Sequence, residues 1–374
     1  MLCNGAMRMI IVFAIAVAVL LPWPAVAEEK AAFDISAIGA TSSTEGVQWH
    51  GYYEFHYIDQ QEKNSTFDAH KIVVWMGVPL NDVMFLSAEL EYEHFPRLEE
   101  AGWDSGAGDI DKKTGGRGEM KVDSAQLSIM PFKGFRGYTG IFYVPFGIEY
   151  FSYPGNKNKL VTRPKVMKSG GIIPGTWADV GIGFNNLFEG IGHLDVFYLN
   201  GDAKNGGVSR DSSSGGNQGK SLGARIMLDD LVVGLNIGAS YVSGKWDEND
   251  MYQSTRTGIH LRIDSDKIFG DDLYPVLLGE FVTGKDEGAA VDTDKKGYYV
   301  QISSRVHPLA ELVARYGVYD NDEKTADNEK KETSFGVVMH LLDNFQLKAE
   351  YQINNEEGTE VDNNKIDIEL VAWW

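Results

Sequence analysis

From Val47 to its end the chain repeats one rhythm. About ten residues alternate apolar side chains with polar or small ones, then a connection follows, and short connections take turns with long ones. The last segment carries the pattern most plainly. Ile366, Ile368, Leu370, Ala372 and Trp374 fall on one face of an extended chain, and Lys365, Asp367 and Glu369 fall on the other. Tyr53, Phe55 and Tyr57 alternate with His50, Tyr52, Glu54 and His56. Phe335, Val337, Met339 and Leu341 alternate with Ser334, Gly336 and His340, and Leu347, Ala349, Tyr351 and Ile353 with Gln346, Lys348, Glu350 and Gln352. Each segment alone is a weak signal. Its persistence over the whole chain predicts strands throughout, with a lipid-facing and a lumen-facing side.

The connections sort by length. Tight turns are expected at residues 79–82, 131–134, 229–230, 307–310 and 343–344, and long polar loops at 96–118, 144–178, 202–220, 320–331 and 355–364. Tracing the hairpins gives an all-β fold: a transmembrane antiparallel β-barrel of about sixteen strands, with short periplasmic turns and long external loops. Sixteen to eighteen strands enclose an aqueous channel rather than a packed interior. Such a barrel must be plugged, folded inward on itself, or conducting.

The first residues do not follow the rhythm. Met7-Arg8-Met9 makes a short basic region, residues 10–21 are unbroken apolar, Pro22-Trp23-Pro24 stops a helix, and Ala25-Val26-Ala27 is the small-x-small pattern cut by signal peptidase. The apolar stretch is shorter than the roughly 20 residues a spanning helix needs. The expected organisation is a cleaved signal peptide at 1–27, a periplasmic lead-in at 28–46 and a barrel at 47–374. The expected location is the outer membrane of a Gram-negative bacterium. The one cysteine, Cys3, precedes the apolar stretch, so no disulfide is expected in the exported chain.

Composition agrees with this. Removing Arg8 with the leader takes the formal charge from −20 to −21, which excludes a nucleic-acid binder working by phosphate neutralisation. Aromatic residues at 11%, 42 glycines and only 11 prolines suit strands and turns. No later segment is long and apolar enough for a membrane helix, so a membrane-spanning form must be a closed barrel, because lipid offers backbone groups no partner.

One loop reverses the charge balance. Residues 151–177 contain no acidic side chain and carry Lys157, Lys159, Arg163, Lys165 and Lys168. They follow Tyr143-Val144-Pro145-Phe146-Gly147-Ile148-Glu149. This stretch, with Arg163-Pro164 beyond it, resembles Gram-negative general porins and is especially similar to the phosphate-selective (O/P-type) porin family. The resemblance implies a trimeric sixteen-stranded barrel whose third external loop folds into the lumen and forms the constriction. It implies passive diffusion of small hydrophilic solutes, with a preference for anions such as phosphate. Rings of Arg or Lys at a narrow, low-dielectric point favour anions. The candidate constriction and lumen residues are therefore the five basic loop residues and Glu149, with Arg225, Arg256, Arg262, Arg305, Arg315 and Lys348 as basic inward positions. Glu54, Glu89, Asp195, Glu280, Glu311 and Glu350 are acidic inward positions, so a mixed lumen is expected.

Other chemistry is thin. The eight histidines include no pair at helical metal spacing. His50 and His56 share a face but lie about 20 Å apart along it, and both read as polar residues of the lumen or interface. Asp104, Asp109 and Asp111 with Gly106 and Gly108 lack the oxygen spacing and terminal glutamate of an EF-hand. Gly206-Gly207 and the Ser212 to Gly216 run read as a flexible loop rather than a phosphate cradle. No nucleophile elbow occurs, and neither an enzyme nor a cofactor or metal is expected. Expected partners are outer-membrane lipid and lipopolysaccharide, the barrel-insertion machinery through the strand ending at Trp374, small hydrophilic solutes or anions, and two further copies of the chain. The rival readings are a barrel sheath around an electron-conduit protein, a surface adhesin with a closed lumen, and a soluble secreted all-β protein.

Overall fold

The computed structural model describes residues 46–94, 119–148, 155–168, 171–206, 218–270, 274–359 and 361–374. The expected leader, nearly all of the expected lead-in, Glu149 and the Asp104 to Asp111 cluster lie outside the described residues, as does most of the Gly206 to Gly216 loop.

Sixteen strands follow one another among the described residues. They are β1 (Gln48–Gln60), β2 (Thr66–Asn81), β3 (Met84–Glu93), β4 (Glu119–Ile129), β5 (Phe135–Tyr143), β6 (Ala178–Phe188), β7 (Gly192–Leu199) and β8 (Ser221–Val232). The second half comprises β9 (Leu235–Lys245), β10 (Gln253–Asp264), β11 (Val276–Asp286), β12 (Thr293–His307), β13 (Ala310–Asp320), β14 (Lys330–Leu342), β15 (Phe345–Glu356) and β16 (Lys365–Trp373). Each pairs antiparallel with its neighbours in sequence, and β1 pairs with β16, so the sheet closes. Closure removes the exposed edges that an open sheet would present. The seam is finished by the last residue: Gly51 N–H donates to Trp374 O at 3.2 Å, and Trp374 N–H donates to Gly51 O at 3.1 Å.

The connections alternate in length along most of the chain; between β10 and β11 the connection is longer and carries a short helix at Ser265–Phe269, and one expected turn is shifted. The β8–β9 turn lies at Val233-Gly234 rather than at residues 229–230. The ladder runs from Leu228↔Ile237 through an irregularity to Val232↔Leu235. Asp229 and Asp230 stay within β8, and Asp230 takes a left-handed φ of 48°. Two acidic residues read as a turn therefore form a kink instead, because Gly234 at φ 79° accepts the reversal more cheaply.

The two faces differ as alternation requires. On β12 the outward Tyr298, Val300, Ile302 and Val306 are exposed, while Tyr299, Gln301 and Ser303 are buried inward. Outward Leu312 and Phe335 on β13 and β14 continue the apolar surface. Aromatic rings gather at the tight-turn rim, where Phe132, Phe135 and Phe184 stack in series and Phe269 packs on Tyr274. A soluble protein has no means of covering a continuous apolar wall of this kind. No helix among the described residues is long and apolar enough to cross a membrane, which bears only on helices.

Candidate functional site

The loop between β5 and β6, residues 144–177, starts from its Pro-Phe-Gly turn. Gly147 has φ 68°, and a Cβ there would lie 1.8 Å from Glu280 Oε1. Both the backbone sign and the approach to β11 require glycine. Gly147 N–H also donates to Ser240 Oγ on β9 at 3.0 Å. Phe146 then turns into an apolar cluster within the barrel with Phe142, Val166, Met167, Ile172 and Trp177. The loop closes at its base through Val144 N–H donating to Trp177 O at 2.8 Å.

From there the chain reaches strands on the opposite wall. Leu160 packs on Val313 and Val338. Thr162 acts as a peg: its N–H and hydroxyl both donate to Glu350, each at 2.7 Å, while Arg315 donates to its carbonyl at 2.7 Å and to its hydroxyl oxygen at 2.8 Å. Lys348 on β15 donates to Gly155 O, and Arg256 on β10 donates to Ile172 O at 2.6 Å. The wall is pared down where the loop lies. A Cβ on Gly297 would sit 2.3 Å from Val166, and one on Gly336 would sit 2.5 Å from Leu160. Small residues on the inward face of these strands thus admit a loop backbone into the barrel.

The basic loop residues differ in burial and in their carboxylate neighbours. Lys159 Nζ meets Glu311 at 2.6 and 2.8 Å, and Lys168 lies 3.7 Å from Glu332. Burial holds the Lys168 ammonium below the ordinary lysine range, and Glu332 opposes that shift. These two cations are spent on wall carboxylates. Lys157 is exposed, and Arg163 and Lys165 are half-buried. Arg163 borders a polar recess of about 160 Å³ whose lining includes Glu54, His56, His70, Lys71 and Glu369.

The basic wall positions divide the same way. Arg225, Arg256, Arg315 and Lys348 are buried inward and paired with Asp195 (3.2 Å), Asp286 (2.7 Å), Glu332 (2.8 Å) and Glu369 (2.8 Å) respectively. Arg256, Arg315 and Lys348 touch the loop, so they anchor it as well as charge the wall. Arg262 and Arg305 do not join them. Arg262 is exposed near the tight-turn rim and donates to Asp264 at 2.6 Å, and Arg305 lies opposite Glu311 near the end of β12. Glu54, Asp195, Glu280, Glu311 and Glu350 all face inward and are buried, and half-buried Glu89 accepts from Tyr143 at 2.8 Å.

The histidines are less scattered than a strand-by-strand reading implies. His70 on β2 and His94, just past β3, converge on Asp68, and His56 stacks on His70 at 4.2 Å between ring centroids. Alternation missed this because the β1–β2 ladder carries an extra residue on β2, stepping from Glu54↔Lys71 to His56↔Asp68. A bulge re-aims the side chains around it.

No protein-family model matches the chain, and no curated protein matches it. The resemblance to phosphate-selective porins therefore stays with residues 145–149 and Arg163-Pro164. Solved structures do match its fold. An anion-selective porin from Comamonas acidovorans is similar over 88% of this chain and 99% of its own, at TM-score 0.63 and 13% identity. Salmonella typhi OmpF matches over 88% and 97% at TM-score 0.63 and 11% identity. The trimer form of OmpT, an outer membrane protein of Vibrio cholerae, matches over 88% and 99% at 0.59 and 11%. The chain has the closed sixteen-strand antiparallel architecture of outer-membrane barrel porins.

Proposed function

We propose that this protein is an outer-membrane porin of a Gram-negative bacterium, exported with a cleaved leader, that passes small hydrophilic solutes passively as a homotrimer. The observation that carries the reading is a loop with no acidic residue from 151 to 177, pegged at Thr162 to the far wall of a wide barrel whose exterior is apolar and whose interior is charged. Such a loop, seated in part through its apolar cluster, would narrow a sixteen-strand channel. The solved porins similar in fold support the class, and one of them is described as anion-selective.

The preference is mild and for anions, phosphate among them. Lys157, Arg163 and Lys165 add positive charge to the loop beside Lys159 and Lys168, which pair with Glu311 and Glu332. The test is planar-bilayer recording of the purified mature protein under a potassium chloride gradient. Open steps in threes, with a reversal potential favouring chloride, are expected. Lys157→Gln, Arg163→Gln and Lys165→Gln together should move that potential toward zero, and an unmoved potential would sink the filter. A folded, inserted protein that never conducts would sink the porin reading. It would favour a closed surface barrel, for which the apolar cluster around Phe146 and Trp177 is the relevant feature.

A further inference from the structure

We propose that Asp68, His70 and His94 form a binding site for a divalent transition-metal ion of the zinc class at the loop end of the lumen. The argument begins with ligand geometry. Asp68 Oδ2 lies 2.9 Å from His94 Nδ1 and 3.2 Å from His70 Nδ1, and the three ligand atoms all fall within 4.8 Å of one another. Ligand atoms around a tetrahedral ion at roughly 2.0–2.1 Å sit about 3.3 Å apart, so little movement is needed to admit one. Two imidazole nitrogens and one carboxylate oxygen are the donor set that borderline divalent ions take, and three protein ligands leave a fourth position for water.

The backbone holds the set in place. The bulge on β2 turns both Asp68 and His70 toward the interior, although strict alternation from Lys71 would put His70 outside. His94 N–H donates to His70 O at 2.8 Å, which extends the ladder one residue past β3 and places the two rings edge to face at 5.1 Å. His94 does so with a left-handed φ of 48°, a conformation uncommon outside glycine but less so for histidine.

Electrostatics select this trio over its neighbour. Glu54, His56 and His70 also cluster, but that inner set is engaged, with Glu54 3.7 Å from Lys71 Nζ and His56 Nε2 3.1 Å from Glu369. A cation there would face the Lys71 ammonium. In the outer trio the only charge with neutral imidazoles is the Asp68 carboxylate, and a divalent ion takes the two Nδ1 lone pairs, with each ring's single proton carried on Nε2. Glu54 Oε2, 3.8 Å from His70 Nε2, is then placed as the outer carboxylate that polarises a metal-bound histidine. The three side chains keep 21–27% of their surface exposed, so an ion can enter from the lumen.

The experiment is calorimetric titration of Zn²⁺ into chelator-stripped, detergent-solubilised full-length mature protein, with no channel recording required. One ion per chain is expected, with His70→Ala, His94→Ala and Asp68→Asn each weakening binding at least about tenfold. His307→Ala, at the opposite rim, should bind as the parent does. Folding of every variant is read from its heat-modifiable electrophoretic mobility, and Asp68→Asn keeps the side-chain shape if an alanine variant fails to fold. Absence of saturable binding to the parent overturns the site, and so does unchanged affinity in folded Asp68→Asn and His94→Ala proteins. Because binding is scored without conductance, the site stands or falls separately from the porin reading.

Discussion

Thr162 is the residue on which the loop turns. Its backbone and hydroxyl satisfy Glu350 and Arg315 together, two buried wall charges that face each other at 3.7 Å. Replacing Thr162 by valine keeps the β-branched shape and deletes the hydroxyl, so Glu350 and Arg315 each lose a partner. Leaving a buried charged acceptor short of one hydrogen bond costs about 1–3 kcal/mol. The expected result is a lower midpoint for heat-modified unfolding, with noisier single-channel steps as the loop tip loosens; an unchanged midpoint would count against the peg. Nothing about Thr162 is visible in sequence, since a threonine between basic residues looks like any solvated loop position.

At the scale of the element, the third loop is bound to the wall by the Pro-Phe-Gly turn, the apolar packing of Leu160, Val166 and Ile172, the ion pairs of Lys159 and Lys168, and the hydrogen bonds at Gly155, Thr162 and Ile172. None belongs to the barrel ladder, so replacing residues 155–168 by a short Gly-Ser segment should leave the sixteen strands paired. Conductance should rise severalfold as the lumen is cleared, in the same bilayer recording, and a deletion that folds without raising conductance would show the constriction to lie elsewhere. The basic composition of this element was legible in the chain. Its neutralisation was not, because Glu311 and Glu332 lie more than a hundred residues away and meet it only across the lumen.

For the whole molecule, the decisive asymmetry is between an apolar outside and a charged inside. Ile302 sits within the outward run Tyr298, Val300, Ile302 and Val306 of β12. Arginine at a lipid-facing midplane position of a barrel costs roughly 2–4 kcal/mol. Ile302→Arg should therefore fold into lipid vesicles with markedly lower stability than Ile302→Leu, measured by denaturant titration, and equal stability would mean that this face does not meet lipid. An antiparallel barrel of about sixteen strands, each pairing with its neighbours, and the facing of residues in unbroken ladders were legible in the sequence alone, because a strand's side-chain period is two and barrel closure allows each strand only its neighbours. That rule places Arg225, Arg256, Arg315 and Lys348 on the inward face, where all four are buried. Only the tertiary structure decided what those charges do. It pairs each with a carboxylate on another strand and fastens three of them to the loop. It also gathers Asp68, His70 and His94 through a one-residue bulge and a left-handed backbone. Periodicity reports which face a residue takes, whereas distances across a lumen and a local break in register depend on the closed sheet.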